Sequence, residues 1–172
     1  MPFLIPEGTP PEMYPVAFLL GSWRAVGELK YPGIEARPVE VSVRWAVGSG
    51  PYFKYECSVA DLDDESSPWS EESGYWRISP ERPDGLAEQL HPIEAMIADP
   101  AGRVSVYVGA GGAGRVTVAS DVIARTASAA AVTASQRMFG LVEDQLMWVW
   151  ELAAFDQPLQ PYLSVALDRV QE

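Results

Sequence analysis

Apolar and polar side chains alternate along most of this chain with a period of two, the spacing that sends successive side chains to opposite faces of a β-strand. In PVEVSVRWAV (38–47), Val39, Val41, Val43, Trp45 and Val47 share one face, and Glu40, Ser42 and Arg44 share the other. PYFKYECSVA (51–60) repeats the pattern, with Phe53, Tyr55, Cys57 and Val59 opposing Tyr52, Lys54, Glu56 and Ser58. GSG at 48–50 joins the two as a hairpin turn. SGYWRIS (73–79), HPIEAMIA (91–98), GRVSVYVG (102–109) and GRVTVASDVIA (114–124) read as further strands, parted by SPERPDGLAEQ, DPAG and AGGAG. DQLMWVWELAAF (144–155) places Leu146, Trp148, Trp150 and Leu152 on one face, and YLSVALDRV (162–170) closes the chain.

Four segments break the alternation. Residues 1–12 hold four prolines and no periodic pattern, so they read as an extended arm. EMYPVAFLL (12–20) reads as a short helix, because Val16, Leu19 and Leu20 share a face and Gly21 stops it. DLDDESSPWSEE (61–72) is acidic and turn-rich, a solvated loop; Asp63, Asp64 and Glu65 lack the glycine and terminal glutamate of a calcium loop. TASAAAVTASQRMFG (126–140) is open between helix, on alanine propensity, and strand, on its β-branched residues and flanking strands; a hairpin is favoured. The expected fold is therefore all-β. It is a single antiparallel up-and-down β-barrel of about ten strands over 13–172, with one short N-terminal helix. Several strands are apolar on both faces, as expected where an outer face is partly covered or an inner face lines an apolar cavity.

At 172 residues the chain can bury a sizeable core in one domain. Its formal charge of −12 repels phosphate backbones and anionic membrane surfaces, so neither nucleic acid nor membrane is an expected partner. Cys57, the only cysteine, reads as a small buried hydrophobe and excludes an internal disulfide or a multi-cysteine zinc site. AGGAG (110–114) lacks the spacing and the following helix of a phosphate loop. The N-terminal stretch has neither a basic region nor a long apolar run, and the expected location is cytoplasmic. With one histidine, one cysteine and no nucleophile elbow, a hydrolase site has no parts, and no catalytic residue is assigned.

LLGSWRAVGELKYPGIE (19–35), ESGYWRI (72–78) and QPLQPYLSVAL (157–167) together resemble the nitrobindin family, fatty-acid-binding-protein-like β-barrels that hold a ferric haem. The order and spacing of these segments fit along nearly the whole chain. The resemblance implies the same barrel, a cavity with Trp23, Gly33 and Tyr162 as pocket candidates, and a homodimer as one arrangement of the chain. Of the family's glycine-rich first-strand motif, Gly21, Trp23 and Gly27 match, while Ala25 replaces the middle glycine.

The departures concern the iron. The family's haem ligand is a histidine directly before the leucine that is Leu163 here, and that position is Tyr162. Gly33 replaces a threonine, and Asp99–Pro100 stands where the family tends to carry His-Pro. A phenol binds iron well only when deprotonated, and its ordinary pKa of about 10 demands a base or an iron centre to drive that. His91 opens a different strand and reads as a rim residue. By simple alternation Ser164 and Ala166 share the face of Tyr162 and leave room behind the phenol, Arg169 lies opposite, and the tryptophan-rich strand offers a lining. The expectation is a barrel with no cofactor and no bound metal that takes a small apolar ligand or none. The alternative is a haem b protein ligated by Tyr162 and acting as a peroxynitrite isomerase. A third reading is a protein-binding role through the acidic 61–72 loop.

Overall fold

A computed structural model describes residues 3–64 and 68–171. A 3-10 helix, Pro11–Leu19, leads into β1 (Gly21–Tyr31), β2 (Ile34–Val47), β3 (Phe53–Asp61), β4 (Pro68–Ile78) and β5 (His91–Asp99). These are followed by β6 (Arg103–Gly112), β7 (Arg115–Arg125), β8 (Val132–Val142), β9 (Gln145–Ala154) and β10 (Gln160–Val170). Each strand pairs antiparallel with its neighbours in sequence, and β1 pairs with β10, which closes the barrel and leaves no edge. The up-and-down barrel expected from the alternation is the observed architecture.

Antiparallel neighbours need only tight turns. Ala113 and Gly114 connect β6 to β7 with φ of 52° and 78°, and Glu143 and Asp144 connect β8 to β9 with φ of 49° and 68°. The expected early helix is present in the tighter 3-10 form; Pro15 lies inside it and has no N–H to donate. Its Met13, Val16, Ala17, Phe18 and Leu19 are all buried, with contacts to β4 and β6, so the helix plugs one end of the barrel. Of the ambiguous segment, 126–131 is turn and β8 begins at Val132, so the strand reading holds from there on.

One boundary differs from the sequence reading. The acidic segment 61–72 is not a loop throughout: β4 begins at Pro68, which places Trp69 and Glu72 in the sheet. Charge and turn residues masked the strand, and pairing with β3 decides it, with Cys57 opposite Glu72 and Val59 opposite Ser70. Glu65, one of the acidic residues considered as a cation ligand, lies outside the described residues.

The lower core is aromatic. Trp45, Trp76, Phe139 and Trp148 are buried against one another, with Trp45 edge-on to Trp76 at 5.8 Å and Phe139 stacked on Trp148 at 5.3 Å between ring centroids. Such rings fill the barrel next to the helix and leave the opposite end as the place where a ligand can enter. That end carries the β1–β2, β3–β4, β5–β6, β7–β8 and β9–β10 connections.

Candidate functional site

At the open end lies a cleft of ≈190 Å³. Its aromatic walls are Tyr31, Trp69, Trp150, Phe155 and Tyr162, and Asp99 and Arg103 stand at its polar side. Tyr162 is 8% exposed and belongs to the buried core, although it lies near the start of β10 at the open end. Trp150 and Tyr31 meet its ring edge-on at 5.1 and 6.0 Å. The Trp69 indole N–H donates to its phenolic oxygen. Among the described residues the phenol's own hydrogen has no acceptor. Burial pushes this hydroxyl up to about 12, against the opposing effect of the Trp69 N–H.

The orientation of Tyr162 comes from a β-bulge. In the pairing of β10 with β9, Gln160 faces Leu152 and Pro161 faces Glu151, but Leu163 faces Trp150, so Tyr162 is the extra residue. The bulge lets Tyr162 and Leu163, adjacent in sequence, both turn inward. This corrects the alternation argument. The inward phase below the bulge is Leu163, Val165 and Leu167; Ser164 is exposed, and Ala166 lies on the outward phase, so neither leaves room behind the phenol. Arg169 follows the inward phase and ends at the helix, its guanidinium 4.1 Å above the Trp23 ring and donating to the Leu20 carbonyl.

Trp69 is itself held. The Arg37 guanidinium lies over its ring at 4.5 Å, and Arg37 Nη1 donates to Asp61 Oδ2 at 2.6 Å. Backbone hydrogen bonding from Asp63, and then Arg37, hold the Asp61 carboxyl below its usual range, so the pair stays charged at neutral pH. Across the cleft Arg103 Nη2 donates to Asp99 Oδ2 at 2.7 Å. The 99–100 position singled out in the sequence thus supplies a carboxylate that is already paired.

Beneath the cleft the barrel holds a buried ion pair. Arg137 donates from Nη2 to Glu72 Oε1 at 2.6 Å and from Nη1 to Glu72 Oε2 at 2.7 Å. The hydroxyls of Tyr55 and Tyr107 each accept from the same guanidinium at 3.1 Å. Arg137 also lies over the Trp150 ring at 4.3 Å. Burial alone would push the guanidinium down, but Glu72 and the two phenols outweigh it and keep it charged. Burial pushes the Cys57 thiol up to about 12, with Glu72 adding to the effect. Cys57 is therefore a buried neutral thiol, as its place on the apolar face suggested, and no nucleophile at neutral pH.

Of the three pocket candidates named from the sequence, the structure brings Tyr162 to the cleft. Gly33 sits in the β1–β2 turn beside Ile34, which lines the cleft, and takes φ of +81°. Trp23 is at the other end, buried, its indole N–H donating to the Leu19 carbonyl at 2.8 Å. Gly27 is inward and lies against Val165, whose Cγ1 would be 2.6 Å from an added Cβ. His91 opens β5 at the helix end, eight residues from Asp99 at the cleft end and so about 26 Å away along the strand. The sequence reading missed Trp69, Glu72 and Arg137. A signal existed for two of them: Glu72 is in phase with Gly74 and Trp76, and Arg137 with Ser135 and Phe139.

Comparison with known proteins agrees with this architecture. Residues 12–169 match the family described as the THAP4-like, heme-binding β-barrel domain. A ferric nitrobindin-like protein of Beutenbergia cavernae is 38% identical, with 99% of this chain and 100% of that protein aligned. A peroxynitrite isomerase of Leifsonia xyli is 30% identical over 97% of this chain and 98% of its own. The crystal structure of Rv2717c from M. tuberculosis superposes with a TM-score of 0.77 at 26% identity, covering 94% of this chain and 99% of that one. The chain belongs to the nitrobindin family of heme-binding β-barrels.

Proposed function

We propose that this chain is a nitrobindin-family barrel that works without ferric haem and uses the cleft at Tyr162 to bind a small apolar ligand. The observation that carries this reading is Tyr162 itself: a phenol stands where the resemblance places the iron ligand, in a space of ≈190 Å³. A cavity of about 150 Å³ takes a benzene ring, and drug-sized ligands need about 300–1,000 Å³. A porphyrin has four pyrrole rings and is larger than the cleft as it stands, so it would have to spread into the neighbouring groove over Tyr31, Ile34 and Tyr162. The donor set does not fit either. With its hydroxyl pushed up to about 12 by burial, the phenol would depend on the iron alone to ionise it. The group against its oxygen is the Trp69 N–H, a donor and not a base. The histidine lies at the far end of β5.

The competing reading is a ferric haem ligated by Tyr162, with peroxynitrite isomerase activity, and the relatives that carry that name favour it. Titrating the protein with ferric haem separates the two. The expected result is no saturable one-to-one Soret band from wild type and a stronger one from Tyr162→His, short of full recovery because Ala25 and Gly33 still differ from the family pattern. A sharp one-to-one band in wild type that disappears in Tyr162→Phe overturns the proposal in favour of tyrosinate ligation.

A further inference from the structure

We infer that the cleft is selective for a neutral, flat ligand about one aromatic ring in size that carries a hydrogen-bond acceptor, and that the Tyr162 hydroxyl is the donor that recognises it. The inference rests on the cleft-binding reading above and adds the chemistry of the ligand.

Size comes first. At ≈190 Å³ the cleft exceeds the roughly 150 Å³ that accepts benzene and lies below the about 300–1,000 Å³ of drug-sized sites. Shape follows from the walls. Trp150 and Tyr31 both pack edge-on against the Tyr162 ring, so the three rings form one continuous aromatic wall against which a flat ring can lie. Phe155 lines the same cleft and is half exposed, and its φ of +54° is a conformation that bulky residues rarely hold. With Asp156, at φ of 63°, it forms the β9–β10 turn, which sets an exposed aromatic at the rim of the cleft.

Polarity comes from hydrogen-bond accounting. Tyr162 accepts from Trp69, so its oxygen is engaged and its orientation is fixed through Trp69, Arg37 and Asp61. Its remaining hydrogen has no acceptor among the described residues, and a buried hydroxyl donor is costly to leave unpaired. A ligand carbonyl satisfies it. The hydroxyl stays protonated through neutral pH, as a donor must. A carboxylate is the wrong partner. The only cation beside the cleft among its described lining residues, Arg103, is already paired with Asp99, and the chain's charge of −12 repels anions.

The test uses three single-ring probes, acetophenone, cumene and benzoate, titrated calorimetrically into wild type and Tyr162→Phe. Cumene matches acetophenone in size and lacks the acceptor. The expected result is that Tyr162→Phe weakens acetophenone about tenfold, as loss of one net hydrogen bond does, and leaves cumene unchanged. Cumene also reports that the cleft of the variant is intact. In wild type the carbonyl stretch of bound ¹³C-acetophenone is expected at lower frequency than in Tyr162→Phe, a readout that does not depend on affinity. Equal losses for both probes, or an unshifted carbonyl stretch, overturn the donor assignment and leave the cleft reading standing. Benzoate binding more tightly than acetophenone overturns it in favour of Arg103 as the recognising group. Binding of none of the probes by wild type refutes the cleft reading itself, and this inference with it.

Discussion

The two ends of the barrel solve opposite problems with similar residues. At the helix end, Trp23 and Arg169 are stacked, the indole N–H is satisfied by the Leu19 carbonyl, and Arg169 caps the Leu20 carbonyl. At the open end, Trp69 and Arg37 are also stacked, but that indole N–H is directed at Tyr162 and the guanidinium at Asp61. The same indole–guanidinium pair closes one mouth and furnishes the other. In the first case its hydrogen bonds are spent on backbone; in the second they orient a phenol whose own hydrogen has no acceptor among the described residues. A tryptophan–arginine pair thus says little about function until its hydrogen-bond partners are known.

Between the ends lies the Glu72–Arg137 pair, and breaking it is among the largest perturbations available. Arg137→Met leaves the Glu72 carboxylate buried without its cation, which typically costs about 3–5 kcal/mol. Urea unfolding is expected to show that loss, and Glu72→Leu added to Arg137→Met is expected to restore part of it, because the apolar pair removes the unpaired charge but leaves the Tyr55 and Tyr107 hydroxyls without their partners. A single-variant cost below about 1 kcal/mol would mean that water reaches the pair and that the cleft extends into the barrel centre.

The comparison of the ends sharpens with one substitution made twice. Trp23→Ala removes a fully buried ring and is expected to lower stability by about 3–5 kcal/mol. Trp69 is only half buried at the rim, and Trp69→Ala is expected to cost about 1 kcal/mol, near the centre of the range for point changes. Thermal or urea unfolding of both variants checks this. Equal costs would show that the open end is packed as tightly as the closed one, which a ligand cleft is not.

Much of this was legible from the chain. The period-two pattern carried the barrel, because one face of every strand must be buried and hairpin turns leave few other closures. The alternation of Leu146, Trp148, Trp150 and Leu152 marked an inward face, and all four are buried. What alternation does not encode is a register slip. The bulge at Tyr162 depends on how β10 meets β9, which the alternation within β10 alone does not report, so Ser164 and Arg169 were assigned to the wrong faces. The charged floor was hidden for a different reason. Charge in a sequence argues for solvent, and only the pairing of Glu72 with Arg137 across the barrel, 65 positions apart, reverses that argument.

The smallest expected effect probes whether the layer between the two ends is dry. Cys57 pairs across the sheet with Glu72, and burial, followed by the nearby carboxylate, raises its thiol from an ordinary value of 9.0 to about 12. The folded state therefore holds a proton that the unfolded chain releases between those values. The thiol's contribution to stability is complete below about pH 9 and is lost as the pH climbs toward 12. As the only cysteine in the chain it gives an unambiguous readout. Native protein at pH 9 is expected to show no thiolate absorbance and to be alkylated only as fast as it unfolds. Rapid stoichiometric alkylation of the folded protein at pH 8 would show that solvent penetrates from the open end past the ion pair, and the contrast between a furnished mouth and a sealed base would no longer describe this barrel.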